Sequence, residues 1–242
     1  LVEHGARKIA LATRRGKPDE ETAAAIGKWA SLGVDAGVHA CDVTDEGAVS
    51  ELLATLRRRG PIRTVVHAAM VLDDALIPNL TPERVRAVVE PKASGAALLD
   101  RLTREDRLDD FILFSSATTL VGNPGQANYV AANGYLEGLA RARRRAGLPA
   151  LAVGFGAISD TGFLARNTEV NEILSKRIGK TAMSAPQALA LVADHIENDP
   201  GSIEAAVVAI AEIDMSMARH LRTVATPLFD IAVRSARTQA SS

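Results

Sequence analysis

Short apolar segments alternate along the chain with longer segments of helical periodicity. The apolar segments are KIALAT, GVHAC, TVVHAA, FILFSS, ALAVGF and AAVVAI. They are apolar throughout, not at every second position, which predicts strands covered by helices on both faces. The helical segments are roughly 18–32, 45–59, 81–104, 127–147 and 184–198. This alternation predicts an α/β fold built on a doubly wound parallel sheet.

The start of the chain departs from that pattern. A Rossmann-like sheet normally opens with a strand and a glycine-rich turn that holds a pyrophosphate at a helix N-terminus. No G-x-G-x-x-G motif occurs in the sequence, and LVEHGAR is typical of the end of a helix that leads at once into KIALAT. We therefore expect the chain to begin after the first strand and its glycine turn.

One domain is expected over residues 1–230, followed by a tail or linker over 231–242, because the last residues, SARTQASS, are small and polar. The 28 basic and 29 acidic residues nearly cancel, which argues against a nucleic acid or an anionic membrane as partner. The only cysteine, Cys41, excludes an intramolecular disulfide framework. The single cysteine, together with the lack of an apolar leader segment in the sequence, favours a cytoplasmic protein. The histidines show no metal-like spacing.

Candidate chemistry lies around the segment SSATTLVGNPGQANYVAANGYLEGLA. Ser116 ends an apolar strand, where open α/β sheets bind ligands. Tyr129 and Asn133 are four residues apart and share a helix face. A phenol can donate a proton near neutral pH when a cation and a hydroxyl tune it, and Lys92 is a candidate cation. By itself, a tyrosine in a helix is more often a packing residue.

Several sequence motifs, found in a particular order along the chain, strengthen the interpretation of Tyr129 as a catalytic residue. FILFSS, GNPGQANYVAANGYLEGLA, VVHAAMVLDD, VVEPKASGA, ATRRG and CDVTD together resemble the ketoreductase domains of polyketide synthases and animal-type fatty acid synthases. These belong to the short-chain dehydrogenase/reductase superfamily. The resemblance extends from Leu1 to about Arg219. Most of the superfamily carries Tyr-x-x-x-Lys, whereas these domains resemble this chain in having Tyr-x-x-x-Asn and a lysine on an earlier helix.

The resemblance implies a catalytic tetrad of Lys92, Ser116, Tyr129 and Asn133. In such domains NADPH reduces the 3-keto group of an acyl thioester while the tyrosine protonates the oxygen. The serine hydrogen-bonds that oxygen, the lysine stabilises tyrosinate, and the asparagine helps hold the lysine and a relay water. The implied partners are an acyl carrier protein with a phosphopantetheine-bound substrate and neighbouring synthase domains.

The resemblance also implies which residues bind the cofactor. Arginine after the strand KIALAT matches a grip on the 2′-phosphate, so NADPH is expected in place of NADH. The implied cofactor-binding residues are Arg14, Arg15, Asp42, Val43, His67 and Ala68. Without the resemblance, the arginine pair would be interpreted as solvated surface.

Two further expectations concern the substrate. Ketoreductases that give a D-configured 3-hydroxyl resemble this chain in carrying Leu-Asp-Asp, here Leu72, Asp73 and Asp74, whereas those giving the L product usually have a tryptophan where Val121 stands. Ala131 is not the proline often seen in D-type domains that select an epimerised 2-substituent. Segment 159–179 is expected to form a mobile lid over the substrate.

Three alternatives to an active synthase domain stay open. A free-standing short-chain reductase is disfavoured by Asn133, because such enzymes usually keep lysine there. A non-catalytic structural module is disfavoured by the full tetrad. An inactive fragment is favoured by the missing glycine turn.

Overall fold

The computed structural model describes residues 1–3, 5–161 and 182–212 of the chain. The strands are β1 Lys8–Thr13, β2 Asp35–Ala40, β3 Thr64–His67, β4 Asp110–Ser116, β5 Leu151–Phe155, β6 Ala157–Ile158, β7 Ala182–Met183 and β8 Val207–Ile210. The α-helices are α1 Glu20–Ser31, α2 Glu46–Arg59, α3 Pro82–Val89, α4 Gly95–Leu102, α5 Thr118–Val121, α6 Ala127–Arg145 and α7 Ala185–Glu197. The six predicted strands and the predicted helices are confirmed. The tail lies outside the described residues, as does the predicted lid apart from residues 159–161.

Side-chain caps fix where four of these helices begin. Asp19, Asp45, Thr81 and Ser184 each accept a hydrogen bond from the main-chain N–H three residues later, at the starts of α1, α2, α3 and α7. Each cap satisfies a main-chain donor that has no partner inside the helix. The starts of these four helices are therefore determined by neighbouring residues.

The helix predicted over 81–104 is divided into three parts. α3 and α4 are joined by one π-helical turn, Glu90–Ser94. Pro91 lies in this turn and has no N–H to donate, so the regular α-helical ladder cannot pass through it unchanged. The wider turn carries Lys92, which is 2% exposed.

The strands pair in parallel. β3, β4, β5 and β8 form a four-stranded sheet in that order, β1 pairs with β2, and β6 pairs with β7. Among the described residues, β1 pairs only with β2, and β3 pairs only with β4. Each therefore has one edge without a strand partner.

The core covers both faces of the four-stranded sheet. Phe111 and Leu113 of β4 pack with Leu136 of α6 on one face. Ile112 of the same strand packs with Val192 of α7 on the other. The prediction that both faces are covered is thus confirmed for β4. In β1, every residue is exposed or half-buried within the part of the chain that the structure describes.

A buried ion pair joins α4 to α6. Arg143 is 1% exposed, and its guanidinium donates to Asp100 Oδ1 at 2.6 Å and to the carbonyl of Pro149 at 3.0 Å. The same guanidinium lies 4.0 Å from the centre of the Phe111 ring. Cys41 is also buried and packs against α2 and α4. None of the described helices is long and apolar enough to cross a membrane.

Candidate active site

Strand β4 and helix α6 bring the predicted serine, tyrosine and asparagine together. Ser116 is the last residue of β4, and its Oγ accepts hydrogen bonds from the N–H and hydroxyl of Thr118 at 3.2 and 3.0 Å. Tyr129 and Asn133 lie one turn apart on α6 and are 8% and 0% exposed. The side chains of Asn133 and Ser116 both interact with the Tyr129 phenol. Three of the four predicted catalytic side chains are therefore neighbours.

Lys92 reaches the same place from the π-helical turn. Its Nζ donates to the carbonyl of Phe114 at 2.8 Å and to that of Ala69 at 3.4 Å, and lies 5.5 Å from the centre of the Tyr129 ring. Asn133 Nδ2 donates to the carbonyl of Tyr129 at 2.9 Å, and its Oδ1 is buried with no hydrogen-bond partner among the described residues. Main-chain carbonyls, not Asn133, thus hold the ammonium group.

The surroundings of this cluster set the charge states of Tyr129 and Lys92. Burial raises the pKa of the Tyr129 phenol, hydrogen bonding with Asn133 and Ser116 opposes that rise, and the charge of Asp74 adds to it. Burial lowers the pKa of Lys92 to about 8. Near neutral pH the phenol therefore keeps its proton while most lysine side chains carry a positive charge.

His67 supports Lys92 and is not open to a ligand. The ring is 3% exposed, and its Nε2–H donates to the carbonyl of Lys92 at 2.9 Å. Gly95 permits this packing, because a Cβ there would lie 2.9 Å from the Val43 methyl groups and 3.2 Å from the ring. Of the predicted cofactor residues at this point, Val43 and His67 pack together, and Ala68 is exposed.

The predicted substrate residues follow β3 and lie against the start of α6. Gln126 Nε2 donates to Asp74 Oδ2 at 2.9 Å, and Asn128 Nδ2 donates to the carbonyl of Asp73 at 3.0 Å. Leu72 is half-buried beside them. The loop 72–74 is thus attached to the residues that immediately precede Tyr129.

The predicted phosphate-binding arginines occupy a tight turn after β1. Arg14 and Arg15 are both exposed. Gly16 closes the turn with φ of 62°, and a Cβ there would lie 2.7 Å from the Cβ of Ala40 at the end of β2. Only glycine fits this close approach.

Asp42 lies next to this turn. Its Oδ1 accepts hydrogen bonds from the N–H and hydroxyl of Thr44 at 2.9 and 2.7 Å. These hydrogen bonds lower the pKa of Asp42, and the positive charge of Arg14 adds to the effect. The residues predicted to bind the 2′-phosphate and the adenine are therefore close together.

Comparison with known proteins identifies the family. The KR domain family model matches residues 1–160. The chain belongs to the KR domain family. This family comprises the ketoreductase domains of polyketide synthases, so the family predicted from the motifs is confirmed.

Relatives of this KR domain are much longer proteins. It is 34% identical to the mycoketide-CoA synthase of Mycobacterium tuberculosis over 99% of this chain and 6% of the synthase. It is 45% identical to the spectinabilin polyketide synthase system protein NorB of Streptomyces orinoci over 68% of this chain and 8% of that protein. The chain thus spans less than a tenth of the length of these two curated relatives.

Solved structures show the same fold. An A1-type ketoreductase is 33% identical with a TM-score of 0.88, and the match covers 97% of this chain and 49% of that one. The first ketoreductase of the tylosin polyketide synthase is 34% identical with a TM-score of 0.80, covering 96% and 49%. The predicted Rossmann-like α/β fold is confirmed.

Sequence reasoning missed several residues that complete the site of this KR domain. The Tyr129 hydroxyl donates to Met70 Sδ at 3.5 Å. Ser115 Oγ donates to Glu137 Oε1 at 2.9 Å and ties β4 to α6. Glu137 follows Asn133 by four residues on α6, and this spacing is the sequence signal that could have found it.

Proposed function

We propose that this KR domain reduces the 3-keto group of a carrier-bound acyl thioester to a hydroxyl with NADPH as reductant. The observation that supports this most is the convergence of Lys92, Ser116, Tyr129 and Asn133, which come from a π-helical turn, a strand end and one helix. Their arrangement supplies a proton donor, a hydroxyl and a cation within one buried cluster.

The residues at the strand ends fit a phosphorylated dinucleotide. Arg14 is exposed at the carboxyl end of β1, where an NAD enzyme more often places a carboxylate. Gly16 allows the turn after β1 to approach Ala40 closely, where a Cβ would clash. Gly95 leaves room for the side chain of Val43 in the same way. Arg14 and Arg15 would hold the 2′-phosphate, and Asp42 and Val43 the adenine. NADPH, when bound, would supply the hydride that adds to the 3-keto carbon.

The side chains of this domain would supply the proton. As the carbonyl oxygen gains negative charge, Tyr129 transfers its hydroxyl proton to that oxygen, and Ser116 donates a hydrogen bond to it. The Lys92 ammonium, 5.5 Å from the ring, stabilises the tyrosinate that is left. Solvent protons then restore the phenol, and Asn133 Oδ1 is a buried acceptor that suits a proton-relay water.

The replacement Tyr129→Phe tests this assignment. Oxidation of NADPH with a short 3-ketoacyl thioester should fall by about 10²- to 10⁴-fold, because only the proton donor is lost. NADPH affinity should stay unchanged. Tyr135→Phe is the matched control, since Tyr135 lies on the same helix and is 44% exposed. Substantial turnover by the Tyr129 variant in an active parent would overturn the tetrad.

We further propose that the product is the D-3-hydroxyacyl thioester. Leu72, Asp73 and Asp74 lie on the loop beside Tyr129, and Val121 stands where a tryptophan is usual in L-specific domains. Groups on this side of the cleft would guide the pantetheine arm and so select the face of the ketone. Chiral chromatography of the product decides this, and a predominantly L product would refute the assignment.

A second candidate is that this stretch alone is non-catalytic. Within the described ranges, β1 and β3 each have one edge without a strand partner, and this favours the second candidate, because a doubly wound sheet places one further parallel strand, with the glycine turn, between such edges. NADPH binding measured on this chain, and on a form extended upstream in the same synthase, separates the two candidates. Equal binding by both forms would count against a missing turn.

A further inference from the structure

One arginine of helix α3 also holds the loop 72–74. Arg84 Nε donates to Asp73 Oδ1 at 2.9 Å, and Nη2 donates to the same oxygen. Nη2 also donates to the carbonyl of Asp74 at 3.0 Å. The guanidinium thus binds a side chain and a main-chain oxygen of two successive loop residues.

The same loop residues are tied to the catalytic helix. The carbonyl of Asp73 accepts from Asn128 Nδ2, and Asn128 Oδ1 in turn accepts from the N–H of Tyr129 at 2.8 Å. Asn128 is 3% exposed. The carboxylate of Asp74 accepts from Gln126 on this side. A continuous set of hydrogen bonds therefore leads from Arg84 through the loop to the main chain of Tyr129.

A neighbouring arginine shows that this is not a general property of α3. Arg86 pairs with Glu83 of its own helix, and the two side chains are 60% and 72% exposed. Such a surface pair contributes about 0–1 kcal/mol to stability and fixes no other segment. Arg84 differs because its partners lie ten and eleven residues away, on a loop with no regular secondary structure. Its hydrogen bonds order that loop.

We propose that Arg84 is a positioning residue that fixes the loop 72–74 against the start of α6 and thereby controls how the ketone is presented to Tyr129. Arg84 acts through Asp73 and Asp74 and does not touch the reacting atoms. The proposal rests on the proposed reductase function. When the clamp is lost, the loop samples other positions and the substrate meets the proton donor in more than one orientation.

The test uses Arg84→Ala and Arg84→Lys, with Arg86→Ala as the matched control, in the full synthase module. In Arg84→Ala, kcat/KM for the 3-ketoacyl thioester should fall about 10- to 100-fold. The fraction of the minor hydroxyl epimer should rise, and the Kd for NADPH should stay the same. Arg84→Lys should restore part of the selectivity, because lysine keeps the positive charge. The rescue should be incomplete, because one ammonium group cannot bind both oxygens in the planar geometry of a guanidinium. Arg86→Ala should match the wild type.

Two more measurements separate positioning from general stability. Asp73→Ala combined with Arg84→Ala should lose less kcat/KM than the two single losses added together, since both variants remove the same hydrogen bonds. Amide hydrogen exchange over residues 72–76 should be faster in Arg84→Ala, while exchange in β4 and α6 is unchanged. An unchanged product ratio and unchanged loop exchange would overturn the proposal. If the wild type reduces no ketone, the proposed function fails, and loop exchange still decides whether Arg84 is a clamp.

Discussion

Acid should destabilise this protein through His67. The ring is buried and its pKa is lowered from 6.5 to about 4, mainly by burial and also by the charge of Lys92. The folded state therefore favours the neutral ring. The stability that this provides is complete above pH 6.5 and is lost as the pH falls from 6.5 towards 4.

The size of the effect follows from the shift. One pKa unit corresponds to about 1.4 kcal/mol, so His67 should remove about 2 kcal/mol between pH 7 and pH 5 and about 3 kcal/mol by pH 4. The free energy of unfolding of a domain of ordinary stability is about 5–15 kcal/mol, so the loss from His67 is a substantial fraction of it. The loss also affects Lys92, because the ring donates to its carbonyl.

Urea unfolding at pH 7, 6 and 5 measures this loss. His67→Gln keeps an N–H donor but cannot be protonated, so its free energy of unfolding should fall about 2 kcal/mol less than that of the wild type between pH 7 and pH 5. Carboxylates titrate in both proteins and cancel in the comparison. The same pH dependence in both proteins, or an NMR titration of the ring near pH 6.5, would refute the reasoning.

Three other changes have expected outcomes. Arg14→Ala should weaken NADPH binding about 10- to 100-fold and NADH binding much less, measured by fluorescence titration, because the guanidinium addresses a phosphate that NADH lacks. Arg143→Met should lower the free energy of unfolding by about 1–3 kcal/mol in urea, because the buried carboxylate of Asp100 loses this hydrogen bond and keeps only the one from Arg104. Gly16→Ala should lower the melting temperature, because the new Cβ would meet Ala40 at a positive φ.

Each of these predictions has a control or a contrary result. Equal losses for NADPH and NADH would place the phosphate site away from Arg14. Arg145→Ala should have little effect, because Arg145 is exposed on the same helix as Arg143. Gly138→Ala should be neutral or stabilising, because Gly138 lies inside α6 and a Cβ there meets nothing within 4 Å. A melting temperature unchanged by Gly16→Ala would show that the turn can relax.

The sequence by itself determined the elements and the family. Strand β1 begins and ends where the apolar run does, and α2 begins after Asp45, because strand periodicity and helix capping involve only neighbouring residues. Tyr129 and Asn133 share a face for the same reason. The motifs around them are enough to indicate the KR family without any knowledge of contacts.

Only the tertiary structure decided how these residues meet. Lys92 reaches the carbonyl of Phe114 across 22 positions, and Gln126 reaches Asp74 across 52. Nothing within one helical turn of these residues specifies such partners. The π-helical turn and the buried ring of His67 likewise depend on which elements pack together. Local periodicity fixes which face a side chain occupies, whereas the chemistry of the site depends on contacts between segments far apart in the chain.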